Sequence, residues 1–330
     1  MSVSMATSNR IEAAHRYGAF YRGYLASHLP MALVALEAMG ASADDMDRFE
    51  RHYAPQLEPI GSAIVTIEPG DEAAHLGSPR AFPEWVVYFS TAIGRDGADA
   101  VLGRWIDRLV PAVAAGAFHG AIRTAFALES GTAHELAHAL AYWAAAYQPL
   151  PEAPMPAGTR SPHEVLVALH GARAPGSARP AGRNILERTV AATRLSQFGE
   201  QVASVDPAQL SLDTIALALL RAHAASGDFT LLHGITGAHA FRLLATHASD
   251  GEAALRDLWV AVVAAYLGAG SPEADGWGLE GDDTLDWPAI HARAVRREDE
   301  HDIKLAYTCW REWQHRGDDL YRRVASARVS

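Results

Sequence analysis

The sequence predicts an all-α protein, and three observations support this class. Alanine and leucine recur at spacings of three and four residues through most of the 330-residue chain. Alternating apolar and polar residues, which are typical of half-buried strands, are almost absent. Hydrophobic residues make up 49% of the chain and charged residues 20%, the balance of a soluble globular protein. We therefore expect a single large multi-helix domain over residues 1–330, with irregular Pro/Gly-rich excursions.

Proline, glycine and serine mark the ends of the predicted helices in the first half of the chain. Pro30 suits the first turn of a helix, Gly40 suits its exit, and Ser42 suits the cap of the next helix. Residues 59–80 are predicted to be irregular, with one short strand candidate at 64–67. The predicted helices cover residues 11–26, 30–39, 43–53, 82–94, 97–114, 116–129 and 132–147.

A proline-rich stretch at about 149–183 divides the chain. It holds seven of the 17 prolines and is predicted to be a surface excursion with one helix near 162–171. A second irregular stretch, 268–285, contains Trp277 and has the size of a lid. The predicted helices beyond residue 183 cover 184–198, 211–225, 229–247, 251–267, 286–297 and 299–325.

Composition narrows the classes of function. A net charge of −11 argues against nucleic acid as a partner, because such proteins present a basic surface. No window of 18 apolar residues free of charge predicts a membrane span, and residues 1–16 do not have the pattern of a signal peptide. A single cysteine, Cys309, fits a reducing cytoplasm. The 16 histidines favour a metal or catalytic site.

Lys304 is the only lysine in the chain, and the other basic residues are arginines. Lysine, unlike arginine, can lose its proton and act as a nucleophile. A neutral lysine that adds CO2 becomes a carbamate, which is a metal-binding carboxylate. His301 lies three residues earlier and shares the helix face, so the pair is a candidate for two ligands from one turn. The alternative is a stray lysine in an arginine-rich chain.

Two further histidines occupy positions that suit a site. His28 precedes Pro30 at a predicted helix entrance, where the helix dipole disfavours a charged imidazolium. A neutral imidazole is the form that a metal requires. His119 shares a helix face with Arg123, and Gly120 beside it leaves space. The alternatives are an exposed polar residue for His28 and an ordinary core histidine for His119.

His233 and His239 lie in the same predicted helix. His233 shares its face with the small residues Thr236 and Gly237, which leave room for a ligand. His239 shares its face with Leu232 and other apolar residues, a pattern typical of a packed core. We therefore favour His233 as the functional residue and keep His239 as its alternative.

His134, Glu135 and His138 match the H-E-x-x-H motif of zinc proteases. The context argues against that function, because the longer form of the motif expects Gly at 141 and His at 144. Both positions are alanine, and the proline-rich stretch replaces the helix that would supply a glutamate ligand. We therefore predict that neither histidine is a metal ligand.

These segments, taken in order along the chain, resemble the questin oxidase-like family. The resemblance runs from residue 28 to residue 305, nearly the whole chain. The matching pieces are HLPMAL at 28–33, LEAMGA at 36–41, FHGAIRTA at 118–125, ELA at 135–137, ALAYW at 139–143, FTLLHGITG at 229–237 and HDIKL at 301–305.

The resemblance implies an iron-dependent oxygenase. The family includes enzymes that open a ring of anthraquinone-type polyketides with O2 in a Baeyer–Villiger-like reaction. It implies one mononuclear non-haem iron held by several histidines and a carboxylated lysine. Carried over position by position, the ligands are His28, His119, His233, His301 and Lys304.

Other residues follow from the same resemblance. Arg123 is the candidate catalytic residue, because its cation suits a phenolate or a developing oxyanion. Phe126 stands where the family leads us to expect histidine, so the surroundings of the site are expected to differ. Eight tryptophans, ten tyrosines and nine phenylalanines suffice to line a pocket for a flat aromatic substrate. The residues leave open a need for NADPH or another reductant, and the oligomeric state.

Two other classes of function fit the same residues. A metal-dependent hydrolase uses a carboxylated lysine between two zinc or nickel ions, or the H-E-x-x-H motif, to activate water. A non-catalytic helical protein that binds a ligand would carry these histidines in its core or on its surface. Metal content distinguishes the three classes: one iron, two zincs or no metal.

Overall fold

A computed structural model describes residues 2–174, 178–275 and 284–330, and it confirms the all-α class. The described residues form α-helices, short 3-10 turns and one small two-stranded sheet. In the first half the elements are α1 Met5–Ala14, β1 Phe20–Tyr21, β2 Leu25–Ala26, α2 Leu29–Ala38, α3 Ala43–Tyr53, α4 Phe82–Asp96, α5 Ala98–Leu109, α6 His119–Ser130 and α7 Ala133–Ala145.

The second half is helical throughout its described elements. The predicted helix in the proline-rich stretch is confirmed, since α8 covers Pro162–Gly171 and begins with a capping box at Ser161. The remaining helices are α9 Ile185–Ala192, α10 Phe198–Ala203, α11 Leu212–Ser226, α12 Phe229–Leu244, α13 Gly251–Gly268, α14 Trp287–Ala294, α15 Glu300–Arg316 and α16 Asp319–Val329. The predicted lid falls partly on residues 276–283, so Trp277 lies outside the described residues.

Two predicted helices that are wrong in their extent contain left-handed backbone. The first helix ends at Ala14, and the chain then forms the β1–β2 hairpin. Its turn contains Arg22 at φ 48° and Gly23 at φ 84°, a conformation that glycine adopts without steric cost. The last predicted helix divides at Gly317, where φ is 73° and Asp318 caps α16.

The strand predicted at 64–67 is also wrong. No described strand lies beside it to complete a ladder, and the Ile64 N–H donates instead to the Glu84 carboxylate at 2.9 Å. Ile64 is 89% exposed, whereas Ile67 is buried. A run of β-branched residues therefore forms no strand here, because backbone N–H and C=O groups need a partner strand.

Helix α6 begins later than the sequence predicts, and this change positions the site. Ala117 and Phe118 adopt positive φ values of 59° and 67°, so the first helical residue is His119. Positive φ is uncommon for residues with a side chain. The buried Phe118 ring lies beside Gly237 of α12. This contact holds the turn directly before His119 and so sets the position of His119.

The core extends along the whole chain, from Ile11 in α1 to Val329 in α16. Helix α6 packs against α7 and α12, α4 packs against α7, and α2 packs against α15. The Trp143 indole N–H donates to the Ala112 carbonyl at 3.2 Å, so this buried ring is also hydrogen-bonded. Among the described helices, none is long and apolar enough to cross a membrane.

We predict that Gly237→Ala destabilises the protein by about 1–3 kcal/mol, because the added methyl group would lie 2.9 Å from the Phe118 ring. Gly94→Ala is the matched control. Gly94 is an exposed residue of α4 with no atom within 4 Å of an added Cβ, so alanine stabilises that helix by about 1 kcal/mol. Urea denaturation of both variants measures the difference, and equal stabilities would contradict this packing argument.

Candidate metal centre

The amino ends of helices carry most of the candidate site. His28 is the capping residue of α2, His119 is the first residue of α6, and His301 is the second residue of α15. His233 lies in the second turn of α12. Unpaired N–H groups give each helix amino end a partial positive charge. That charge disfavours protonation of an imidazole placed there.

The structure brings the rings of these four histidines together. Ring centroids lie 4.4 Å apart for His28 and His119, 4.8 Å for His28 and His301, 4.9 Å for His119 and His233, and 5.1 Å for His233 and His301. Ligand atoms of His28, His119 and His301 all lie within 4.8 Å of one another. Residues far apart in sequence thus form one compact group of nitrogen donors.

Three of the rings are oriented through Nδ1. The Nδ1 atoms of His119, His233 and His301 lie at hydrogen-bond distance from the Gly116 carbonyl, the Phe229 carbonyl (2.8 Å) and the Asp299 carboxylate (2.9 Å), respectively. A ring that donates from Nδ1 keeps its lone pair on Nε2. His119 Nε2 is buried without a hydrogen-bond partner among the described residues. Metal-binding histidines are held in this way by acceptors on the other ring nitrogen.

Glu300 is a residue of the site that the sequence patterns did not identify. Its Oε1 atom lies 3.3 Å from His28 Nδ1 and 3.5 Å from His301 Nδ1. The His28 backbone N–H also donates to the Tyr53 hydroxyl at 3.0 Å. The only signal in the sequence was the position of Glu300 directly before His301.

Lys304 lies one turn after His301 and is 1% exposed. Burial lowers the pKa of its ammonium group to about 8, against the opposing effect of the Glu300 and Asp299 carboxylates. Burial and the positive charge of Lys304 together lower the pKa of His28 and His119 well below the usual histidine value. The pKa of His233 falls in the same way, through burial and then through His301 and Lys304.

The donor set fits a metal ion. The lowered pKa values keep His28, His119 and His233 neutral, as metal ligands must be. A buried nitrogen lone pair without a partner costs free energy, and a metal ion would satisfy it. A neutral Lys304 could take up CO2, and the resulting carbamate would add one negative ligand.

A cavity of about 450 Å³ opens over the imidazole group. Small-molecule sites have volumes of roughly 300–1,000 Å³. Its lining includes Tyr21 and Tyr24 from the hairpin, Phe229, and the residues around the start of α9. The Phe229 ring packs 4.6 Å from His233 and 4.7 Å from His301, so it covers one side of the group. The cavity is therefore both aromatic and next to the candidate ligands.

Arg123 and Phe126 lie away from this cavity. The Arg123 guanidinium donates twice to the buried Glu135 carboxylate, at 2.8 Å from Nε and 3.1 Å from a terminal nitrogen. Neither Arg123 nor Phe126 is among the described residues that line the cavity. Phe126 packs against Tyr307, with ring centroids 5.4 Å apart. The catalytic role predicted for Arg123 stays a prediction, and its ion pair indicates a structural role.

His239 is held elsewhere, as its apolar face predicted. Its Nδ1 lies 2.8 Å from Glu312, and Arg242 binds the same carboxylate. Although burial opposes ionisation, His239 and Arg242 hold the pKa of Glu312 at about 2. Of the two histidines of α12, His233 is therefore the one that the structure brings into the imidazole group.

The H-E-x-x-H motif does not form one site. His134 is exposed and lies 3.1 Å from Glu12, whereas the Glu135 carboxylate is buried between Arg123 and His15. His138 is buried and stacks on His15, with ring centroids 3.9 Å apart. The packing of α1 on α7 explains the burial of His138.

Comparison with known proteins gives one finding for the chain. A family model described as questin oxidase-like matches residues 25–309, which include all five candidate ligand positions. A comparison with curated proteins gave no match.

We predict that Lys304→Met stabilises the metal-free protein by about 1–3 kcal/mol near neutral pH. Burial opposes the charged form of this amine, and methionine fills a similar volume without a polar group. Urea denaturation of chelator-treated wild type and variant measures the change. A less stable variant would mean that Lys304 contributes to the fold and is not retained for function.

Proposed function

Because the chain belongs to the questin oxidase-like family, we propose that it is an oxidoreductase, and specifically a non-haem iron oxygenase. Its substrate is a polycyclic aromatic or quinone polyketide. Its reaction is a Baeyer–Villiger-like oxidative ring opening that inserts one atom of O2, while the other atom leaves as water with two electrons from a reductant such as NADPH. The observation that carries this proposal is the convergence of four imidazole rings, three of them buried, close to the only lysine of the chain.

His28, His119, His233 and His301 would hold one iron, with carboxylated Lys304 as the anionic ligand. Carboxylation forms a bond between the neutral Nζ and the carbon of CO2, and Nζ releases one proton. The carbamate oxygens then carry the negative charge that four neutral imidazoles do not provide. Iron supplies the redox chemistry toward O2 that no side chain of this protein provides.

The cavity gives a flat aromatic substrate its position. Tyr21, Tyr24 and Phe229 offer ring faces, and Phe229 also keeps water from the His233 and His301 rings. Arg188 of α9 lines the same cavity, and its Nε is buried without a partner in the described parts of the chain. We assign to Arg188 the recognition of an ionised phenol or carboxylate on the substrate.

A hydrolase with two metal ions is the second candidate. Asp299, Glu300 and His301 present ligand atoms within 4.8 Å of one another, so they could hold a second ion beside the imidazole group. A carboxylated Lys304 would supply the anionic ligand in that arrangement. Elemental analysis separates the two functions, since the oxygenase contains one iron per chain and the hydrolase contains two zinc ions.

We predict that Lys304→Arg abolishes iron binding and ring opening. Arginine stays protonated in proteins, so it forms no carbamate and places a cation next to the metal. Iron content of the purified variant and turnover of an anthraquinone with O2 measure the effect. His134→Ala combined with His138→Ala is the control, and we expect its iron content to equal that of wild type.

The Lys304→Ala variant is a second test of the carbamate ligand, because a small carboxylate can replace the missing group. The smaller side chain leaves a gap, so added formate or acetate should restore part of the lost activity. An arginine variant that keeps its iron and its turnover would show that the lysine acts as an ordinary cation. The carboxylated ligand, and with it much of the proposed mechanism, would then be wrong.

We predict that Arg188→Gln weakens binding of anthraquinone-2-carboxylate about tenfold or more and leaves binding of neutral 2-(hydroxymethyl)anthraquinone within about threefold. The physical reason is loss of the one cavity cation that has no counter-ion among the described residues. Fluorescence titration measures both affinities, and the iron content of each protein is determined in parallel.

Arg183→Gln is the matched control for Arg188. Arg183 also borders the cavity, but its side chain is 88% exposed and pairs with Glu187 at 2.8 Å. We expect this variant to bind both compounds as wild type does. Equal losses for the charged and the neutral compound in Arg188→Gln would point to general disturbance of the cavity, and would contradict anion recognition.

A further inference from the structure

A second group of metal-binding atoms lies between α1 and α7, apart from the imidazole group described above. Its three residues are Glu12 of α1, His15 directly after the last residue of α1, and His134 of α7. His134 Nδ1 lies 3.1 Å from each oxygen of the Glu12 carboxylate. His15 Nδ1 lies 3.4 Å from Glu12 Oε2. Two elements that are distant in sequence therefore bring three donors to one point.

A buried network orients His15. Its Nε2 lies 2.8 Å from Glu135 Oε2, and Glu135 is held in turn by the two hydrogen bonds from Arg123. The Glu135 carboxylate, paired with the Arg123 guanidinium, therefore accepts a hydrogen bond from His15 Nε2. Carboxylate–histidine–metal groups use this arrangement to fix the ligating ring.

The remaining nitrogen of His15 then faces a carboxylate. With its proton on Nε2, a neutral His15 directs the Nδ1 lone pair toward Glu12 Oε2, and two acceptors repel each other. A cation between them removes this repulsion: either a second proton or a metal ion. His138 stacks on the His15 ring and limits its rotation, so the ring cannot turn away.

We propose that Glu12, His15 and His134 form a second metal site, which takes a zinc-like divalent ion and leaves one coordination position to solvent. The ligand atoms are His15 Nδ1, His134 Nδ1 and a Glu12 oxygen. With bonds of about 2.0–2.1 Å, neighbouring ligand atoms of a tetrahedral zinc lie roughly 3.3 Å apart. The observed separations of 3.1 and 3.4 Å match that spacing.

This site uses only one histidine of the H-E-x-x-H motif. His134 supplies a ligand, Glu135 orients a ligand from another helix, and His138 packs against that ligand. The arrangement therefore differs from a zinc protease, in which both histidines bind the ion and the glutamate contacts water. An ion at this site would join α1 to α7 and stabilise the packing of the amino-terminal helix.

The test is zinc binding by the purified protein with its own metal content left in place. We expect wild type to bind one zinc equivalent that Glu12→Gln and His134→Ala bind at least tenfold more weakly, with iron content unchanged. Added zinc should raise the melting temperature of wild type and leave that of both variants unchanged. Both residues are exposed, so the variants are expected to fold.

His75→Ala is the matched control. His75 Nε2 lies 3.8 Å from Asp71, and among the described residues no third donor joins this histidine–carboxylate pair, so the variant should bind zinc as wild type does. Equal zinc binding by wild type, Glu12→Gln and His134→Ala would overturn the proposal. The cation between His15 and Glu12 would then be a proton, and the group would be an ion pair.

Discussion

Lys304 and four imidazole rings share one buried site, and all five groups become cations when they bind a proton. Burial lowers the pKa of Lys304 to about 8, and burial together with repulsion from Lys304 and the neighbouring imidazoles lowers the pKa of His28, His119 and His233 and keeps them neutral. Burying five groups that can each become a cation costs free energy, unless a shared cation binds their free lone pairs. The rest of the structure around the site can be understood from this constraint.

The helices satisfy this constraint in two ways: amino ends of helices lie at the site, and the helices pack closely. His28, His119 and His301 lie at helix amino ends, where the dipole disfavours a proton on the ring and favours an anion such as a carbamate. Gly120 allows α6 to approach Trp143, since an added Cβ would lie 2.5 Å from that ring. Gly237 likewise allows α12 to approach the Phe118 ring. These contacts set the separation of the His119 and His233 rings.

Two histidines outside the imidazole group, His15 and His239, belong to separate polar networks. His15 and Arg123 share Glu135, and His239 and Arg242 share Glu312, and each carboxylate has a pKa of about 2. Both networks are buried and ion-paired, so removing one partner would leave an uncompensated charge. A high histidine content therefore reflects several roles in this chain, of which metal binding is only one.

The sequence by itself determined the helical class, because apolar spacing and capping residues act locally, as at Pro162 and Ser161. It also selected His28, His119, His233, His301 and Lys304, through their helix faces and through the family resemblance. Tertiary structure decided the turns at Gly23 and Phe118, the ion pair of Arg123, and the roles of Glu300 and Arg188. These depend on contacts between segments distant in the chain, and spacing within one helix carries no information about which other helix will pack against it.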